Sequence, residues 1–121
     1  MIDYSKRHFQ MWRYEVGHSQ LLLRSPKAVG FSTRIDVLFK DVGAFHLPTT
    51  MHGLSIFEAN EQEQAELHVQ IGRPSLEERK VFIVRGSNFT GYVIAGVVAS
   101  HEDECEYYEP SHFASLQGDE R

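Results

Sequence analysis

Two of the chain's seven histidines, His46 and His52, flank a Pro48-Thr49-Thr50 turn. Neutral imidazoles brought together across a turn offer two nitrogens to a zinc or iron ion, and such sites usually need a third ligand. The best source of one is "HEDEC" (101–105), where alternation along a strand puts His101, Asp103 and Cys105 on one face. The spacing is neither His-Glu-x-x-His nor a Cys-x-x-Cys pair. A zinc or iron site on His46, His52 and His101 is therefore the alternative expectation. Solvent-facing or edge-strand histidines, with no cofactor, explain the same residues more simply.

Other candidate chemistry is weaker. Cys105 is the sole cysteine, and Glu102, Asp103, Glu104 and Glu106 surround it. Neighbouring negative charge raises a thiol pKa and disfavours the nucleophilic anion. "RGSNFTG" (85–91) has the glycines and hydroxyls of a phosphate loop but no Walker lysine, and a strand rather than a helix follows it. It reads as a hairpin turn. His18 stands beside Ser19, with Asp36 or Asp41 as a third member of a triad, yet adjacent side chains on a strand point to opposite faces. No catalytic motif converges.

One surface feature remains. Glu102–Glu109 holds five acids together with Tyr107 and Tyr108. Tyrosines supply contact area at low entropic cost, and clustered carboxylates steer basic partners. Glu102, Glu104, Glu106, Tyr107 and Tyr108 are thus the expected binding residues. The competing reading is a solvated negative edge that discourages pairing between sheets.

The bulk numbers set the frame. A 121-residue chain is expected to be one domain with a core of its own. Its formal net charge of −5 argues against nucleic acid, whose binding rests on neutralising phosphates. "KRHFQMWR" (6–13) interleaves basic and aromatic residues, but reads as a solvated lead-in with Trp12 anchoring the core edge. The longest apolar stretch, Gly91–Ala99, is far short of the roughly 20 residues that cross a bilayer. A lone cysteine and an N-terminus without an apolar run make the cytoplasm the expected location.

The elements that must position these residues follow a period of two. Met11–Val16 and "LLLRSP" (21–26) form a hairpin candidate across "GHSQ" (17–20). Thr33–Phe39 alternates, with Ile35, Val37 and Phe39 on one face and Arg34, Asp36 and Lys40 on the other. "DVG" (41–43) reads as a bulge or bend, after which Ala44–Leu47 and Gly53–Phe57 complete a long bent hairpin. Residues 58–66 favour a helical turn or two, whereas Leu67, Val69 and Ile71 alternate like a half-buried strand. "GRPSLEE" (72–78) reads as a loop with one helical turn at 75–78. "KVFIV" (80–84) and "FTGYVIAGVVAS" (89–100) read as an apolar hairpin, with bends or close backbone approach at Gly91 and Gly96. Its second strand is expected to run on through 101–109 to Pro110. Residues 1–10 and 114–121 are expected to be loosely ordered. The fold class is mainly β, an antiparallel sandwich or small open barrel with at most one or two short helices; an α+β sheet is the alternative.

"WRYEVGHSQLLLRS" (12–25) and "TRIDVLFKDVGAFHLPTTMHGLSI" (33–56) resemble the opening hairpin and following long strands of small bacterial β-rich proteins of unassigned function, some of them similar to immunity proteins. The resemblance covers the first half of the chain and carries over no catalytic residue. It implies a bacterial, cytoplasmic module that acts by binding. The combined expectation is a non-enzymatic interaction protein with a basic protein partner, forming a homodimer, and with no nucleic acid or membrane contact. The alternatives are a small metal-dependent enzyme or metal-binding barrel, and a small-molecule pocket inside a barrel.

Overall fold

The computed structural model describes residues 1–71 and 78–113. Its elements are β1 (Ile2–Glu15), β2 (Gln20–Ser25), β3 (Arg34–Lys40), β4 (Ala44–His46), β5 (Thr50–Glu58), α1 (Glu61–Ile71), β6 (Lys80–Arg85), β7 (Thr90–Ala95) and β8 (Val97–Asp103). The eight strands form one antiparallel sheet in the order β4-β7-β6-β5-β1-β2-β3-β8, which does not close into a barrel. The fold is mainly β with a single helix among the described residues, as the alternation requires.

The two ends of that order belong to the same two stretches of chain. β3 bends into β4 at Asp41–Gly43, and β7 bends into β8 at Gly96. Gly43 N donates to Ile94 O at 2.8 Å, and Gly96 N donates to Lys40 O at 2.9 Å, so one bent ladder links 34–46 to 92–103. The sheet therefore curls until its inward face is covered by itself. Alternate residues fill that interior: Phe9, Leu21, Leu23, Ile35, Val37, Phe39, Met51, Ile56, Phe82, Val84, Val93 and Ala95. Each large side chain taken from water here contributes about 1.5–3 kcal/mol, which makes this cluster the main source of stability.

Both glycines expected at bends have that role. A Cβ on Gly91 would overlap the His46 carbonyl oxygen, so only glycine lets β4 lie against β7. Gly96 sits at the corner, its N–H shared between Lys40 O and Asp41 O.

Several expectations are corrected. Residues 1–10 are no loose lead-in, since residues 2–10 belong to β1, which runs between β2 and β5. Its polar run Ser5-Lys6-Arg7-His8 masks the alternation, and a bulge lies there, opposite Gly53 at φ +85°. The long hairpin over 33–57 does not form, because β3 pairs with β2 and β8 while β5 pairs with β1 and β6. Residues 67–71 extend α1 instead of making a strand. The cause is a capping box, in which Glu63 N donates to Asn60 Oδ1 at 2.8 Å and Asn60 N donates to Glu63 Oε1 at 2.9 Å. Val69 is 87% exposed, so the alternation there faces no sheet. The expected helical turn at 75–78 and the loose tail at 114–121 lie almost wholly outside the described residues.

The outward face is covered in two places. Leu67 of α1 packs over Ala59, Val81, Ile83 and Ile94. Leu22 and Leu38, the outward residues of β2 and β3, are covered by Phe113 of the segment that follows β8. No described helix is long and apolar enough to cross a membrane.

Candidate functional site

β8 ends at Asp103, and the chain does not run on as a strand to Pro110. Cys105 N donates to Asp103 Oδ1 at 3.0 Å, a side-chain turn that lifts the backbone off the ladder. Residues 104–113 then fold back as a strap over the outward face of β2 and β3. Glu109 N donates to Glu106 O at 3.1 Å, closing a turn at the strap's tip.

Two buried arginines hold the strap. Arg34, on the outward face of β3 and 1% exposed, uses five N–H donors. Nε and Nη2 grip Asp103 at 3.1 and 3.0 Å. Nη1 donates to Glu106 O at 3.0 Å and Glu109 O at 2.7 Å, and Nη2 donates to Pro110 O at 3.2 Å. Arg24 of β2 is bidentate to Asp36 at 2.7 and 3.0 Å and donates to Tyr107 O at 2.6 Å. The rigid guanidinium fork suits this double duty, a carboxylate on one side and backbone carbonyls on the other. Arg34 and Asp36 were expected on the polar face of β3; they are on it, but the strap buries them.

The charges are matched. Burial alone would raise the Asp103 pKa, but the hydrogen bonds from Arg34 and Cys105 N–H, with the charges of Arg34 and His101, hold it below the usual carboxylate range. Burial would lower the Arg34 pKa, and its bond to Asp103 with the charges of Asp36 and Asp103 raises it instead. The Cys105 thiol is pushed up by desolvation, then by Asp103 and Glu109. Little thiolate exists at neutral pH.

Because the strap's carbonyls turn toward the sheet, its side chains turn out. Tyr107 is 56% and Tyr108 70% exposed, with their rings edge to face at 5.5 Å. Tyr107 also meets Trp12 edge to face at 6.3 Å, and Trp12 in turn covers the Arg24 guanidinium at 4.8 Å. Glu104 and Glu106 are exposed alongside. Lys27 Nζ reaches Glu106 Oε2 at 2.9 Å, which raises the Lys27 pKa. Of the expected binding residues, Glu104, Glu106, Tyr107 and Tyr108 are thus assembled on one feature. Glu102 stands apart on β8, where it accepts from Thr33 Oγ1.

Sequence reasoning placed Trp12 at the core edge and did not single out Arg24, Arg34 and Asp36 as a unit. The available signal was the presence of two arginines and an aspartate inside otherwise apolar strands.

The three histidines of the metal expectation occupy different settings. His46 lies on β4 beside Tyr92, at 6.1 Å between ring centres. There it lines a cleft of about 460 Å³ under α1, with Glu63, Glu66 and Arg85. His52 faces His8 across the β1–β5 ladder, with Nδ1 and Nε2 3.3 Å apart. His101 stacks on His112 at 3.8 Å. Among the described residues no group of three or more His, Cys, Asp or Glu side chains is placed to hold a metal ion.

Compared with known proteins, the chain matches no family model, no curated protein and no solved structure.

Proposed function

We propose that the protein is a binding module rather than an enzyme, and that the strap receives a basic segment of a protein partner. The observation that carries this reading is the pinning of an exposed acidic, aromatic segment by two buried arginines. Burying a guanidinium is costly unless it is paired and hydrogen-bonded. Here both are, and the result is a fixed display of Trp12, Tyr107, Tyr108, Glu104 and Glu106. Order established before binding lowers the entropy lost on association. Aromatic faces beside carboxylates suit arginine and lysine side chains, by cation–π contact and by charge.

The test uses an arginine-rich peptide titrated against the protein, read by calorimetry and by the emission of Trp12, the only tryptophan. Binding is expected to weaken with salt, because the contacts are exposed. The combined variant Glu104→Gln, Glu106→Gln, Tyr108→Ser changes exposed side chains alone, so its urea midpoint should match wild type. It should lose binding. Equal binding by that variant, or equal binding of an aspartate-rich peptide, ends the reading.

A further inference from the structure

A second feature lies away from the strap, where the chain leaves β2. Pairing between β1 and β2 stops at Gln10–Arg24, and Pro26 has no N–H to continue it. Residues 28–31 then form a small flap: Ala28 N donates to Phe31 O at 3.1 Å and Phe31 N to Ala28 O at 2.8 Å, with Gly30 at φ +88°. Between this flap and β1 is a cavity of about 390 Å³.

The lining is chemically one-sided. Pro26, Ala28, Val29 and Phe31 give it an apolar wall, while Lys6, Arg7 and His8 supply its ionisable groups. Among the described residues no carboxylate lines it. The chain has 17 acids against 12 lysines and arginines, so the charge of this lining is opposite in sign to that of the whole chain.

Arg7 distinguishes this place from the arginines under the strap. It is only 6% exposed, and its guanidinium lies over the Phe31 ring at 4.4 Å. Its donors go to Ser25 Oγ at 3.1 Å, Ser25 O at 3.3 Å, Thr33 Oγ1 at 3.2 Å and Thr33 O at 2.7 Å. All are neutral oxygens. Glu102 is reached only through the Thr33 hydroxyl. Burial lowers the Arg7 pKa more than Glu102 and Tyr4 restore it. Arg24 and Arg34 each grip an aspartate; Arg7 grips none.

We propose that this cavity binds a small organic acid with an apolar body, its hydrocarbon against Pro26, Ala28 and Phe31 and its carboxylate toward Arg7 and Lys6. The volume suits such a ligand, and a charge-assisted contact in a partly desolvated cavity gives the orientation.

Octanoate is the probe, with octanol and acetate as controls, followed by amide chemical shifts on the whole chain. Octanoate should move the amides of residues 6–10 and 28–31, and octanol should bind about tenfold more weakly. Acetate should move none. Arg7→Ala removes four bonds to Ser25 and Thr33, on either side of the flap, and can compromise folding, so two other variants carry the test. Lys6→Glu, at an exposed position, should weaken octanoate about tenfold. Ala28→Phe, which narrows the cavity from the flap side, should abolish binding. Octanol binding as tightly as octanoate, shifts confined to the strap, or no shift at saturating octanoate would each overturn the proposal.

Discussion

Replacing Arg34 with methionine isolates the device on which the proposed surface depends. The change keeps an apolar stem of similar reach but removes the two bonds to Asp103, which lie within the β3–β8 ladder, and three donors to the strap, those to Glu106 O, Glu109 O and Pro110 O. When the strap lifts, these carbonyls regain water, so each bond counts at its net value of about 1 kcal/mol rather than its gross strength. Three of them give about 3 kcal/mol, which raises the lifted population about a hundredfold. Arg24 on Tyr107 O and Phe113 over Leu22 and Leu38 remain, so the global fold should persist. The assay is the labelling rate of Cys105, the sole cysteine, which is half-buried in the strap. Labelling should accelerate between about tenfold and a hundredfold if opening governs access. The electrostatic side effect has the opposite sign: Arg34 lowers the Cys105 pKa, so its removal leaves less thiolate and would slow the chemistry. Faster labelling therefore reports opening. An unchanged rate in a folded Arg34→Met variant would refute the reasoning.

Three other outcomes follow from the same geometry. Asp36→Asn leaves Arg24, 2% exposed, without its counter-charge and should cost about 3–5 kcal/mol in urea unfolding; a curve overlaying wild type would contradict this. Asp103 has a depressed folded pKa, so its contribution is present above the unfolded carboxylate value and is lost as pH falls through the folded one. Acidification should thus change Trp12 emission before global unfolding, and Asp103→Asn should remove that step; a flat trace in wild type would count against it. Gly91→Ala drives a Cβ into the His46 carbonyl and should cost about 1–3 kcal/mol by thermal melting, whereas a neutral result would mean β4 can retreat without loss.

The interior was legible because a period of two has one physical meaning. Ile35, Val37 and Phe39 were expected on one face, and all three are buried in the core. What alternation cannot convey is which outward residues become covered. Arg34 and Asp36 looked like solvent-facing polar residues, yet a non-local segment about 70 residues downstream closes over them. The same limit hid β1, where Lys6-Arg7-His8 reads as polar although Arg7 is buried under the 26–33 loop. It also hid the neighbours of β3, since strand order is fixed by long-range pairing rather than by local pattern. The helix could have been found: Asn60 followed three residues later by Glu63 is a start signal, stronger than the alternation of 67–71 that overrode it.

The acidic segment was expected to act as a binding surface, and its residues do cluster, though on a folded-back strap rather than a continuing strand. Whether that strap is rigid before any partner arrives is decided by backbone ¹⁵N order parameters for residues 104–109 in the unliganded protein. Values near those of β2 and β3, about 0.85, are expected; values below about 0.6 would contradict a surface ordered in advance by Arg24 and Arg34.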